Sequence, residues 1–202
     1  VSPPLRLYLV RHGETEWSLS GQHTGGTEVP LTASGEEGAR KLAPILRDIA
    51  FARVLTSPRR RAQRTCELAG LGAHAEVAPD LAEWDYGDYE GLRSAEIHER
   101  RPGWNIFRDG CPGGESPAQV SDRADQLLQS LGAQGGDIAL FSHGHFGRVL
   151  ATRWIGLPTL QGQHFALGVA SLSILGFEPS HPETRAIALW NFAPSGQGGP
   201  KI

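Results

Sequence analysis

Residues 5–17 read LRLYLVRHGETEW, and their reading decides the fold. The apolar run LRLYLV predicts a strand, and Gly13 breaks it. Arg11 and His12 are therefore delivered side by side to a strand's C-terminal end. A cation and an imidazole placed there look less like surface decoration than like the start of an anion-handling site.

The rest of the chain supplies matching parts. ARVLTS (52–57) predicts a second strand, followed by a helix over Arg60–Leu68. DIALFSHG (137–144) predicts a buried strand, followed by a helix from Phe146 to Ile155 that Gly156 and Pro158 close. Another helix is expected from Thr32–Ser34 toward Ile49, kinked or shortened by Pro44. In GESPAQVSDRADQLLQSL, Ser116 can cap a helix and Pro117 suits its first turn. Val120, Ala124, Leu127, Leu128 and Leu131 form one apolar face. ASLSILGFE and RAIALWN read as two late strands forming an antiparallel pair. Strands alternating with helices predict an α/β fold with helices on both faces of the sheet.

Ligands in such sheets sit at the C-terminal ends of the strands. Arg11 and His12 fall on that edge, as do Ser57 with the arginine run PRRRAQRT, and Ser142, His143 and Gly144. Helix N-termini behind two of these would add N–H donors and dipole. Two histidines with several arginines suit phosphoryl transfer through a histidine nucleophile.

Bulk properties narrow the field. The chain has 202 residues and a net charge of -3. One domain over 1–192 is expected, followed by a flexible Gly/Pro/Ser-rich tail over 193–202. That charge leaves no footprint for nucleic acid or an anionic membrane, so phosphate affinity must come from local geometry. No apolar stretch approaches the roughly 18 residues of a transmembrane helix. VSPPLRLYLV lacks a signal peptide's long apolar segment. Cys66 and Cys111 form neither a metal motif nor a disulfide pattern, and a cytoplasmic location is the expectation. His143 and His145 have a ligand-like spacing, but no further ligand motif stands near them, so no metal is expected. No GxxxxGK[ST] loop is present for nucleotide binding.

The set RHGET (11–15), TSPRRRAQRT (56–65), LAEWDYGDYEGL (81–92), GGES (113–116) and FSHGHFGRVL (141–150) resembles, in order, the histidine phosphatase superfamily. That superfamily includes the cofactor-dependent phosphoglycerate mutases. The resemblance implies a three-layer α/β/α sandwich of the phosphoglycerate mutase type, its central sheet mostly parallel with an antiparallel edge. It implies His12 as the nucleophile, with Arg11, Arg61 and His143 holding the phosphoryl oxygens and Glu83 donating a proton to the leaving alcohol. Spacing alone leaves Glu83 level with Asp85 and Glu90 for that last role. Arg61 is singled out by the pattern RAxxT, leaving Arg59, Arg60 and Arg64 mostly to a solvated face. Ser18, His23 and Thr24 fall where relatives touch substrate. Trp84, Tyr86, Gly144 and His145 are further candidates for lining the pocket, although Trp84 also suits a core. Neighbouring guanidinium groups should keep His12 neutral. They would also offset charge on the phosphoryl oxygens.

The expected partner is a small phosphate ester, with no nucleic acid, membrane, metal or organic cofactor. The oligomeric state is left open, a homodimer included. Mutases of the family carry a longer insert between the acid and the ES helix, gripping the substrate carboxylate. That span is short here, which favours a phosphatase over the alternative, a cofactor-dependent phosphoglycerate mutase. GQHTGGTEVPLT and WNIFRDGC resemble the branch of sedoheptulose-bisphosphatases and broad-specificity acid phosphatases, implying sugar phosphates or bisphosphates. Arg93, Arg108 or His145 are candidates for meeting a second anionic group.

Overall fold

Strand β1 (Arg6–Arg11) lies inside a six-stranded sheet, and its apolar run is explained by cover on both faces. In this computed structural model, which describes residues 4–194, the other strands are β2 (Arg53–Thr56), β3 (Ala75–Val77), β4 (Asp137–Ser142), β5 (Leu172–Glu178) and β6 (His181–Phe192). Their order is β3-β2-β4-β1-β5-β6. The pairs β3–β2, β2–β4 and β4–β1 are parallel, whereas β1–β5 and β5–β6 are antiparallel. The mostly parallel sheet with an antiparallel edge is thus as the sequence predicts.

Alternation along β1 sorts the two cores. Leu7 and Leu9 pack with Val120, Leu127 and Leu131 of α7 (Pro117–Gly132) and with Phe146, Val149 and Trp154 of α8 (Gly144–Trp154). Tyr8 and Val10 face the other way, onto Leu42, Leu46 and Cys66. That second layer holds α2 (Ala33–Arg40), α3 (Ala43–Leu46) and α4 (Arg60–Leu68). The result is an α/β/α sandwich. The helix expected over 32–49 is two helices, broken at Lys41–Leu42, with Pro44 in the first turn of the second. The α7 cap is as read: Ser116 and Gln119 form a reciprocal capping box. Helix α8 begins at Gly144, two residues earlier than expected, because His143 is its N-terminal cap position.

Three short helices lie in the connections between these elements: α1 (Glu16–Ser20), α5 (Ser94–Arg100) and α6 (Ile106–Asp109). Residues 195–202 of the expected tail lie outside the described residues. Among the described residues, no helix is long and apolar enough to cross a membrane.

Candidate active site

Three strand ends build the site. The N–H of His12 carries the β1–β4 ladder one step further, to Ser142 O at 3.0 Å, and Ser57 N–H does the same to Phe141 O at 2.9 Å. His12, Ser57 and His143 thus stand one residue beyond β1, β2 and β4. The turn at Gly13 is enforced by close backbone packing. Its N–H donates to Thr65 Oγ1 on α4, and a Cβ there would lie 2.4 Å from Gly35 O on α2.

His12 is buried, and its Nδ1 lies 2.7 Å from the Gly13 carbonyl. A carbonyl only accepts, so Nδ1 carries the proton and the lone pair of the neutral ring is on Nε2. Burial, then the charges of Arg61 and Arg11, push the His12 pKa well below its ordinary value. The ring of His143 stands 5.2 Å away, between centroids. It is lowered in the same way, by burial first and then Arg61. Its Nε2 meets Ser57 Oγ at 2.7 Å.

Arginine 61 is the buried member of its run; Arg60 and Arg64 are exposed, and Arg59 is half-buried. Its Nη1 donates to Thr27 O, and its Nη2 donates to Thr24 O and Gly25 O. Arg11 lies against Gly144, where a Cβ would come within 3.2 Å of its guanidinium carbon, and its Nη1 donates to Leu167 O. Arg11 Nε, Arg61 Nε and His143 Nδ1 are all buried with no hydrogen-bond partner among the described residues. Buried polar nitrogens are rarely left so.

Glu83 is buried and sits at the N-terminus of α8, accepting from the N–H groups of His145 at 3.1 Å and Phe146 at 2.7 Å. A third bond comes from Trp84 N–H at 2.9 Å. Arg11, His12, Glu83, Ser18, His23, Thr24, Tyr86, Gly144 and His145 line one cavity of about 180 Å³. Tyr86 stacks on His23 at 4.8 Å, and its hydroxyl meets His145 Nδ1 at 2.6 Å. Ser18 has its hydroxyl committed to the capping box with Thr15.

The structure corrects three expectations. Trp84 does not line the cavity: it is fully buried in the core, edge-on to Phe107, with its indole N–H on Glu115 O. Its predecessor Glu83 faces the cavity, and Trp84 turns the opposite way. Arg93 is exposed and bound to Glu96, and Arg108 is exposed and bound to Asp109, so neither reaches the cavity. Arg148, which the sequence motifs do not single out, also lines the cavity, above Phe107, with its guanidinium carbon 4.6 Å from the ring centroid. The signal was there: Arg148 follows Gly144 by four residues on one helix, hence on the same face. Burial first, then Arg11, lowers the Arg148 pKa to about 10.

The sequence model of the histidine phosphatase superfamily, branch 1, matches residues 7–191. The chain belongs to the histidine phosphatase superfamily. Among its relatives, a Mycobacterium tuberculosis acid phosphatase is 48% identical, over 86% of this chain and 87% of that one. A sedoheptulose 1,7-bisphosphatase of Saccharomyces cerevisiae is 39% identical, over 75% of this chain and 68% of that one. The solved structure of a Mycobacterium tuberculosis open reading frame superposes with a TM-score of 0.86 at 45% identity, covering 94% of this chain and 98% of that one. This histidine phosphatase is a hydrolase of the phosphatase class.

Proposed function

We propose that the protein hydrolyses phosphate monoesters through a phosphohistidine on His12, with sugar phosphates or bisphosphates as substrates and no metal or organic cofactor. The observation that carries the reading is the neutral His12 ring, its lone pair on Nε2, set among three buried unpartnered nitrogens of Arg11, Arg61 and His143. Nε2 attacks phosphorus, the bond to the ester oxygen breaks, and Glu83 gives that oxygen a proton. Water then attacks the phosphohistidine, Glu83 takes its proton, and inorganic phosphate leaves. The arginines and His143 hold the equatorial oxygens, where electrostatic stabilisation does most for phosphoryl transfer.

Sugar esters are favoured by the names of the relatives and by the cavity's polar rim. Thr24, Gln22 and His23 suit hydroxyl groups, and Arg148 brings a further cation for a second anionic group. The mutase alternative is disfavoured by the 91–114 segment. Its arginines Arg93, Arg100, Arg101 and Arg108 are all exposed, and none of them lines the cavity.

A phosphate-release screen over sugar phosphates, sugar bisphosphates and phosphoglycerates tests the activity. Wild type should release phosphate and yield an acid-labile phosphoenzyme, and His12→Ala should lose both, with turnover down at least about 10⁴-fold. Substantial turnover by His12→Ala would remove His12 as nucleophile.

A further inference from the structure

The segment after Glu83 holds a carboxylate that the reaction scheme does not use. Glu90 is half-buried, and its Oε1 accepts from Gly25 N–H at 2.9 Å and from Thr27 N–H at 3.0 Å. Its Oε2 also lies 2.9 Å from Gly25 N. The opposite side of the same loop faces Arg61: the carbonyls of Thr24, Gly25 and Thr27 accept from its guanidinium at 2.9–3.0 Å. The Thr24–Gly25 peptide therefore has an anion on its N–H and a cation on its C=O, an arrangement in which each bond polarises and strengthens the other.

Glu90 has little freedom to drift. Gly91 N–H donates to His23 O at 2.8 Å, and His23 N–H donates to Leu92 O at 2.9 Å, zipping the two segments together. Gly25 fits because it has no side chain; a Cβ would lie 2.7 Å from Trp84 O and 2.9 Å from Glu90 Oε2. Arg61 bonds the carbonyls of this loop and Glu90 its N–H groups, so the link between the two side chains runs through the backbone. Glu28 ties the loop a second time, to Arg60 N–H at 3.1 Å.

We propose that Glu90 is a positioning residue: through the backbone of residues 24–27 it sets the Arg61 guanidinium for the phosphoryl group. The proposal rests on the reading of Arg61 as a phosphate-binding cation. Its signature is coupling. Glu90→Ala should lower kcat/KM for p-nitrophenyl phosphate and weaken inhibition by vanadate, each about 10- to 100-fold, as for loss of a charge-assisted hydrogen bond. In an Arg61→Ala background the same substitution should cost less than about 3-fold.

A double-mutant cycle over Arg61→Ala and Glu90→Ala decides the matter, with thermal melts run alongside. Equal Glu90→Ala losses in both backgrounds would reduce Glu90 to a tie on a loop and overturn the proposal, while leaving a damaged Arg61→Ala enzyme to support the Arg61 role. Full activity in Arg61→Ala would overturn both. Should Glu90→Ala fail to fold, the cycle runs with Glu90→Gln, which keeps one acceptor; a loss confined to the Arg61 background supports the proposal, and an equal loss overturns it.

Discussion

The Nδ1–H of His12 donates to the carbonyl of Gly13 at 2.7 Å, so the backbone of the next residue leaves the ring's lone pair on Nε2, the nitrogen proposed to react. The bond holds the ring in one tautomer and one orientation. Burial and the two flanking arginines then keep it uncharged.

It follows that His12 should show the neutral, Nδ1-protonated pattern in nitrogen NMR, and keep it as the pH falls through 6.5, where an ordinary imidazole gains its proton. Arg61→Ala removes one of the charges that depress it and should move its titration upward. A His12 ring titrating at or above 6.5 in the folded wild type would contradict the arrangement.

The acid role proposed for Glu83 is one that leaving groups can report. Glu83→Gln leaves the amide oxygen to accept from α8 but has no proton to give. Turnover of alkyl phosphates should fall about 10²- to 10⁴-fold, the range for general acid catalysis. p-Nitrophenyl phosphate, whose leaving group needs little help, should lose far less. Equal losses on both substrates would take the acid role away from Glu83.

How much of this was legible in the chain depends on what kind of force sets each feature. β1 and β4 are read directly, because strands covered on both faces must be apolar throughout. The break between α2 and α3 is legible in Pro44. β3, three residues at the sheet edge with Glu76 and Val77 exposed, carries no pattern strong enough to find. Arg11, His12 and His143 fall at the ends of β1 and β4, as the rule of strand ends predicts. Trp84, beside Glu83, suits either the pocket or the core by sequence, and which way a side chain turns in an irregular segment is settled by the core it meets. Glu90 was only a spare candidate for the acid, since its bonds run to a loop 63 or more residues away in sequence.

Two glycines separate backbone crowding from helix propensity. A Cβ at Gly35 would sit 2.2 Å from Glu14 O and 2.7 Å from Glu14 N, on the chain that turns away from His12. Gly35→Ala should cost about 1–3 kcal/mol of stability by overpacking and reduce activity as His12 shifts. Gly132, the exposed last residue of α7, has nothing within 4 Å of a Cβ. Gly132→Ala should leave activity alone and add up to about 1 kcal/mol. Denaturant melts of both variants check the pair, and an unaffected Gly35→Ala would show that the turn after His12 yields more readily than its packing indicates.

Burial sets the acid sensitivity of the fold. His23, stacked on Tyr86, has its pKa lowered to about 4, by burial chiefly, with Glu90 opposing. Unfolded, the same ring takes a proton near 6.5. Between these values the unfolded chain binds the extra proton, so stability is full above about 6.5 and is lost as the pH falls toward 4. The His23 share is about 3 kcal/mol. His12, His143 and His145 are depressed in the same sense and steepen the fall. His23→Phe keeps an aromatic ring against Tyr86 but cannot titrate, so its melting temperature should decline less than that of wild type between pH 6.5 and 4. Parallel declines for the two proteins would mean that His23 is solvated in solution and contributes nothing to the slope.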